Sequence, residues 1–255
     1  MQYVLPAHPS VRARALADAF ERLAPPRELA PDLKVVLGGD GTMLHCIHQH
    51  RAQGDFFGIN CGNLGFLMND LEGESDAVVA AVVASVQSGQ LRRHSFPCLQ
   101  LHAQGPGGDI LDFAVNDVYV ARETGQTVHL RVTVDGVVVV SRLICDGLIA
   151  ATPLGSTAYS FSAGGPAAHP LVQALQLTAI CPHSPRLSPM VLPPNTVVEV
   201  EVEAPERRPA LVSVDGEDRG RVHRLTVSPA PHRVQLCFTQ SHDFTGTLVR
   251  KILHV

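Results

Sequence analysis

Four stretches of this chain set glycines, hydroxyls and carboxylates at spacings that suit phosphate and nucleoside chemistry. The first is Gly38-Gly39-Asp40-Gly41-Thr42. Glycines let backbone N–H groups approach phosphate oxygens closely, and the start of a helix favours an anion. Asp40 would repel a phosphate, so its presence makes sense if it orients an attacking hydroxyl or helps to hold Mg²⁺. The plainer reading is a tight strand-to-helix turn with the aspartate as a cap. The second stretch, Gly62-Asn63-Leu64-Gly65-Phe66-Leu67, is either a ligand loop at the ends of parallel strands or a simple glycine turn. The third, Asn116-Asp117, interrupts an apolar run from 113 to 120. Its amide suits a base edge and its carboxylate suits ribose hydroxyls, while a β-bulge explains the pair equally well.

The fourth stretch runs from Asp146-Gly147-Leu148-Ile149-Ala150-Ala151 through Thr152-Pro153-Leu154-Gly155 to Ser156-Thr157-Ala158-Tyr159-Ser160-Phe161-Ser162-Ala163-Gly164-Gly165-Pro166. A strand enters a turn at Pro153 and Gly155. Hydroxyls then gather around Tyr159, which suits stacking on a base with hydrogen bonds to ribose and phosphate. A P-loop, by contrast, is absent, because no G-x-x-x-x-G-K-[ST] string occurs. Lys34 and Lys251 are the only lysines, and the other eighteen of the 20 basic residues are arginine. The glycine loop therefore has no lysine in its own sequence to neutralise a triphosphate. The charge must come from an ion that arrives with the donor.

These stretches need elements to position them. Residues 11–23 read as a helix that Pro25-Pro26 ends. Residues 34–37 form a buried strand running into Gly38-Gly39, 42–49 the next helix, and 56–60 a second strand. Residues 75–88 form a third helix, with Ser75 or Asp76 able to cap it. Strand and helix alternate to about residue 90, which argues for a parallel sheet. Beyond His94 β-branched residues dominate. The alternating run 128–134, then Asp135-Gly136, then 137–143 predicts a type I′ hairpin, and 210–214 followed by Asp215-Gly216 predicts another. Residues 197–202 alternate apolar and acidic. The later part is thus β-rich, a sandwich, with the boundary near 89–95.

Composition narrows the class. The chain has 255 residues, is 45% hydrophobic and has a formal net charge of −4, which gives no basic surplus for nucleic acid or an acidic membrane. The six cysteines are at least fifteen residues apart, which disfavours a zinc ribbon and suggests buried, reduced thiols. The thirteen histidines are scattered and read as solvated surface. Residues 77–86 are the longest strongly apolar run, too short to span a bilayer, and the first residues lack a signal-peptide pattern. A cytoplasmic location is expected.

The four stretches together resemble the NAD kinase family, in its bacterial ATP- or polyphosphate-dependent form. The resemblance rests on G-G-D-G-T at 38–42, N-L-G-F at 63–66, N-D at 116–117 and the whole of 146–166. Pro182-His183-Ser184, Val191-Leu192-Pro193 and Val214-Asp215-Gly216 match further family segments. It implies an α/β plus β fold, with a Rossmann-like N-terminal domain (1–92), a β-sandwich NAD-binding domain (93–235) and a C-terminal tail (236–255) returning to the first.

By the same resemblance Asp40 is the acid–base residue for the adenosine 2′-hydroxyl of NAD, and Gly38, Gly39, Gly41 and Thr42 line the phosphate loop. Phe66, Asn116, Asp117, His129, Asp146, Thr157, Ala158, Tyr159, Ser160, Phe161 and Ser162, with Asp40 and Gly41, are implied around NAD. Mg²⁺ or a similar ion enters with the triphosphate, no metal is held tightly, and the partners are NAD, ATP or polyphosphate, and further copies of the chain as a homodimer or homotetramer. Nucleic acid and membrane are not expected partners. Three departures from the family pattern stand out: the segment before the glycine loop is short, so that the family's first strand is either truncated or Gln2 to Leu5, Ile144 stands where some members carry arginine, and Glu217 stands where others carry glutamine or arginine. A lipid or sugar kinase sharing the G-G-D-G loop, and an NAD(P) sensor without turnover, are the competing readings. The first lacks a use for T-A-Y-S, and the second lacks a use for Asp40.

Overall fold

The computed structural model describes residues 2–23, 30–62 and 65–253. Pro25-Pro26, Asn63 and Leu64 lie outside the described residues. The chain divides into two compact units, one made of the residues up to Phe96 and from Arg233 onward, the other of Pro97–His232.

The first unit is a parallel sheet with helices. Strand β1 (Gln2–Val4) pairs with β2 (Leu33–Gly38), β2 with β3 (Asp55–Asn60), and β3 with Gln235–Cys237 near the end of strand β15 (Arg224–Phe238). Parallel strands covered on both faces must be apolar on both, and Val35, Val36, Leu37, Phe56, Phe57 and Ile59 are all completely buried. Helix α1 (Val11–Leu23) packs on α3 (Ser75–Gln87) over the core of Leu16, Phe20, Phe57 and Val79. Helix α2 (Asp40–Gln49) follows β2 directly. Glu74, not Ser75 or Asp76, occupies the N-cap of α3, and it makes no side-chain cap bond. Asp76 instead lies in the first turn, where it favours the helix dipole and meets Arg22 at 2.5 Å.

Helix α5 (Phe244–Leu253) closes the unit. Its first residue, Phe244, enters a cluster of rings with His94, Phe96, Phe238 and His242, at centroid distances of 4.2–6.5 Å. The expectation that the histidines are solvated surface fails here. Both His94 and His242 pack among phenylalanines, and burial pushes the His242 imidazole down to about 4.

The second unit is a β-sandwich. One sheet runs in the order β11-β10-β9-β6-β13-β14, built from Met190–Leu192, Leu175–Ile180, Gly147–Ala151, Asp117–Arg122, Ala210–Val214 and Glu217–Val222. Facing it are β7 (Val128–Val134), β8 (Val137–Cys145), β12 (Val198–Val202) and the first part of β15, with β4 (Arg92–Gly105) and β5 (Gly108–Ala114). Leu130, Val132, Leu148, Leu177, Val200 and Val212 belong to the core of the sandwich. Both expected hairpins form, with positive φ at Asp135, Gly136, Asp215 and Gly216. The chain passes from the first unit to the second inside β4, between Phe96 and Pro97. None of the six cysteines is in a disulfide; Cys46, Cys98, Cys145 and Cys237 are buried, whereas Cys181 is exposed, contrary to the reading of all six as buried.

Candidate active site

The glycine loop sits where the residues predicted it. Strand β2 ends at Gly38, Gly39 is the N-cap of α2, and the first helical bond runs from the Met43 N–H to the Gly39 carbonyl at 3.1 Å. The N–H groups of Asp40, Gly41 and Thr42 precede that bond, so the helix has no partner of its own for them. A Cβ built on Gly39 or Gly41 meets nothing within 4 Å, which leaves room above the loop. Asp40 does not cap α2. Its Oδ2 accepts the Phe66 N–H at 3.0 Å and its Oδ1 accepts the Leu67 N–H at 3.1 Å. The second stretch is therefore the seat of the first. Gly65 is required there for space, since a Cβ on it would lie 2.1 Å from Asp40 Oδ1. The carboxylate keeps 27% of its surface exposed, and Lys251 Nζ approaches Oδ2 to 3.8 Å. The loop carries no cation in its own sequence, and Lys251 brings one from the last helix. At the carboxyl end of β3 a polar cavity of about 620 Å³ is lined by residues including Arg12, Asn60, Asp70, His242 and Arg250.

The second unit assembles the other two stretches on one sheet. Asp215, at the tip of the β13–β14 hairpin, accepts the N–H of Val115 at 2.9 Å, of Asn116 at 2.7 Å and of Asp117 at 3.1 Å. Thr152 closes the same turn from the other side, its N–H bonding the Asn116 carbonyl at 2.8 Å and its hydroxyl the Val115 carbonyl at 2.6 Å. Gly155 must be glycine because a Cβ would stand 2.1 Å from the Asn116 carbonyl oxygen. Asn116 Oδ1 and Thr157 Oγ1 are two of the seven buried side-chain polar atoms with no hydrogen-bond partner among the described residues. Such atoms are costly unless something binds them. Asp117 is 3% exposed, and burial together with the Asp215 charge pushes its carboxyl up to about 7. Tyr159 opens the short helix α4 (Tyr159–Ser162); its ring meets Tyr119 edge-on at 5.0 Å and stays 39% exposed. The site thus offers a partly open aromatic face, two unpaired polar atoms and a carboxyl near neutrality.

Comparison with known proteins identifies the architecture. Residues 115–235 match the family model for the ATP-NAD kinase C-terminal domain. The NAD kinase of Hyphomonas neptunium is 34% identical over 224 residues, covering 86% of this chain and 85% of that one. The chain belongs to the NAD kinase family. The Brucella melitensis NAD kinase is 32% identical over 235 residues, 90% of this chain and 88% of that one. The NAD kinase from Archaeoglobus fulgidus, solved in complex with ATP, superposes with a TM-score of 0.79 over the full length of both chains at 26% identity. Yeast NADH kinase, solved with NADH, superposes with a TM-score of 0.83 over 100% of this chain and 86% of that one, at 22% identity, a likeness of fold.

Within this NAD kinase the remaining residues singled out by sequence fall into place unevenly. Phe66 is 2% exposed and serves Asp40 through its backbone. Ser160 is completely buried, and its hydroxyl is 2.9 Å from that of Thr178, so it fastens α4 to β10. Ser156 likewise bonds the Pro153 carbonyl at 2.7 Å and the Ala168 N–H at 3.0 Å. Ala158 is half-buried, whereas Phe161 and Ser162 lie on the exposed side of α4. Asp146 pairs with Arg122 at 3.0 Å. His129 stands on the opposite sheet from β9, in register with Ile144, and its charged neighbours are Arg208, Arg142 and Glu203. Of the departures from the family pattern, Glu217 meets Arg219 at 2.9 Å, so its added anion is matched locally. The backbone of Ile144 bridges to Ser184. Sequence reasoning missed Lys251 and Tyr119, which carry no local pattern, and it read Asp215 only as a turn residue, not as the acceptor of the 115–117 N–H groups.

Proposed function

We propose that this NAD kinase transfers the terminal phosphoryl group of ATP, another nucleoside triphosphate or polyphosphate to the adenosine 2′-hydroxyl of NAD, giving NADP. The observation that carries this reading is the Asp40 carboxylate, fixed by two backbone N–H groups at the start of α2 with an edge left exposed. A carboxylate so held can accept the hydroxyl proton while the 2′-oxygen forms its bond to phosphorus and the bond from phosphorus to the leaving ADP oxygen breaks. The unpaired N–H groups of the α2 first turn suit the donor phosphates.

The donor enters as its complex with Mg²⁺ or a similar ion. The triphosphate would supply most of the oxygen ligands of that ion, which would neutralise the charge that develops on the transferred group. On the acceptor side, Asn116, Asp117 and Thr157 take the polar groups of NAD and Tyr159 offers its face to the base, with Ala158, Ser162 and Asp146 around them. The first unit is then the phosphoryl-transfer domain and the second the NAD-binding domain. A cytoplasmic location and a homodimer or homotetramer are part of the same proposal. No helix among the described residues is long and apolar enough to cross a membrane. The test is NADP formation from NAD and Mg·ATP by the purified protein and by Asp40→Asn. The expected loss of turnover is about 10²–10⁴-fold, the usual size of a general-base effect. A rate for Asp40→Asn within a few-fold of the parent would remove Asp40 from the chemistry.

A further inference from the structure

The two lysines of the chain have different surroundings. Lys34 donates to the Gln53 carbonyl at 3.0 Å and lies over Phe56 at the start of β2, a structural contact. Lys251 sits in the last turn of α5 with its Nζ 3.8 Å from Asp40 Oδ2 and 4.8 Å from the centre of the Phe66 ring. Phe66 is the residue whose N–H holds that same Oδ2. One residue therefore seats both the carboxylate and the ammonium. Both side chains are part-buried, 28% exposed for Lys251 and 27% for Asp40, so water screens their interaction less than on an open surface. The rest of the loop, Gly38, Gly39, Gly41 and Thr42, supplies no charged side chain.

We infer that Lys251 is a positioning residue for phosphoryl transfer. It fixes the Asp40 carboxylate in its seat and brings positive charge to a glycine loop that has none, which makes α5 part of the active site. The inference rests on the reading of Asp40 as the residue that engages the acceptor hydroxyl. A pair 3.8 Å apart with both partners partly exposed adds little to folding stability, because water screens it and two side chains must be ordered to make it. The contribution to charge developing during transfer is larger, because groups already aimed at that charge need no reorganisation. The two roles therefore separate in experiment.

The test compares Lys251→Met, which keeps the apolar stem over Phe66, with Lys251→Arg, which keeps the charge, and with Asp40→Asn. Each is assayed with NAD and Mg·ATP and melted by circular dichroism. The expected result is a kcat lowered at least about tenfold in Lys251→Met, a KM for NAD within about twofold of the parent, an unchanged melting temperature, and recovery of most of the rate in Lys251→Arg. A parental kcat in Lys251→Met, alongside an inactive Asp40→Asn, overturns the role of Lys251 alone. Equal loss of rate and melting temperature in both lysine variants reduces it to packing and also overturns the role. An active Asp40→Asn overturns the reading of Asp40 itself, and this inference with it.

Discussion

Asp40 in the first unit and Asp215 in the second are held by the same device and differ in what they have left over. Each carboxylate accepts backbone N–H groups from a segment distant in sequence. Asp215 takes three, from Val115, Asn116 and Asp117, and so fixes the turn that presents Asn116. Asp40 takes two, from Phe66 and Leu67, one on each oxygen, and keeps an exposed edge beside a lysine. The first pattern makes a scaffold, and the second holds a carboxylate beside a cation at the start of a helix. An aspartate in a glycine-rich turn is therefore judged by how many amides hold it and by what stands next to it.

The most severe way to break this comparison is to remove the scaffold. Asp215→Ala strips the acceptor from three backbone N–H groups. Unpaired donors of this kind cost about 1–3 kcal/mol each, so a loss of at least about 3 kcal/mol of stability is expected, with NAD affinity falling too. Chemical denaturation followed by intrinsic fluorescence measures the first and calorimetry the second. A loss below about 1 kcal/mol would show that the 115–117 turn holds itself. A smaller step acts on the other seat. Gly65→Ala drives a Cβ toward Asp40 Oδ1, where the space is only 2.1 Å. Displacing the carboxylate by such a distance should lower kcat about 10²-fold while NAD affinity stays near the parental value.

Much of the framework behind these two seats is legible in the sequence. The β-strand before Gly38, the helix after Thr42 and both Asp-Gly hairpins follow from apolar runs and turn residues, which are local signals. The seats are not local. Nothing near Asp40 announces that the N–H groups of Phe66 and Leu67 will meet it, or that Lys251 will arrive from the last helix. Hydroxyls mislead for a related reason. In 156–162 they look alike in sequence, yet Ser156 and Ser160 bond inside the protein while the Thr157 hydroxyl has no partner. The scattered histidines conceal a cluster because His94 and His242 reach the same ring, Phe238, only through folding.

The gentlest probe is pH, to which the two units should respond in opposite directions. Burial lowers His242 from its ordinary 6.5 to about 4, so its contribution to stability is present above pH 6.5 and is lost as pH falls toward 4. Burial and the Asp215 charge raise Asp117 from 3.8 to about 7, so its contribution is present below pH 3.8 and is lost as pH rises through 7. Melting curves across pH 4–8 check the signs. His242→Phe should flatten the acid side, and Asp117→Asn should raise the melting temperature at pH 8 and leave it unchanged near pH 4. The reverse pattern would mean that the charged forms are stabilised in the fold.

The division of labour between the units is tested most directly by one paired measurement, the NAD dissociation constant by calorimetry and the single-turnover rate at saturating NAD, in Asp40→Asn and Tyr159→Ala side by side. Asp40→Asn should bind NAD about as the parent does and turn over about 10²–10⁴-fold more slowly. Tyr159→Ala should lose about 1–3 kcal/mol of NAD affinity, the usual worth of a base stacked on an aromatic ring, and keep its rate at saturation within a few-fold. If both variants lose affinity and rate together, or if Tyr159→Ala binds NAD as the parent does, the separation of chemistry from nucleoside binding is contradicted.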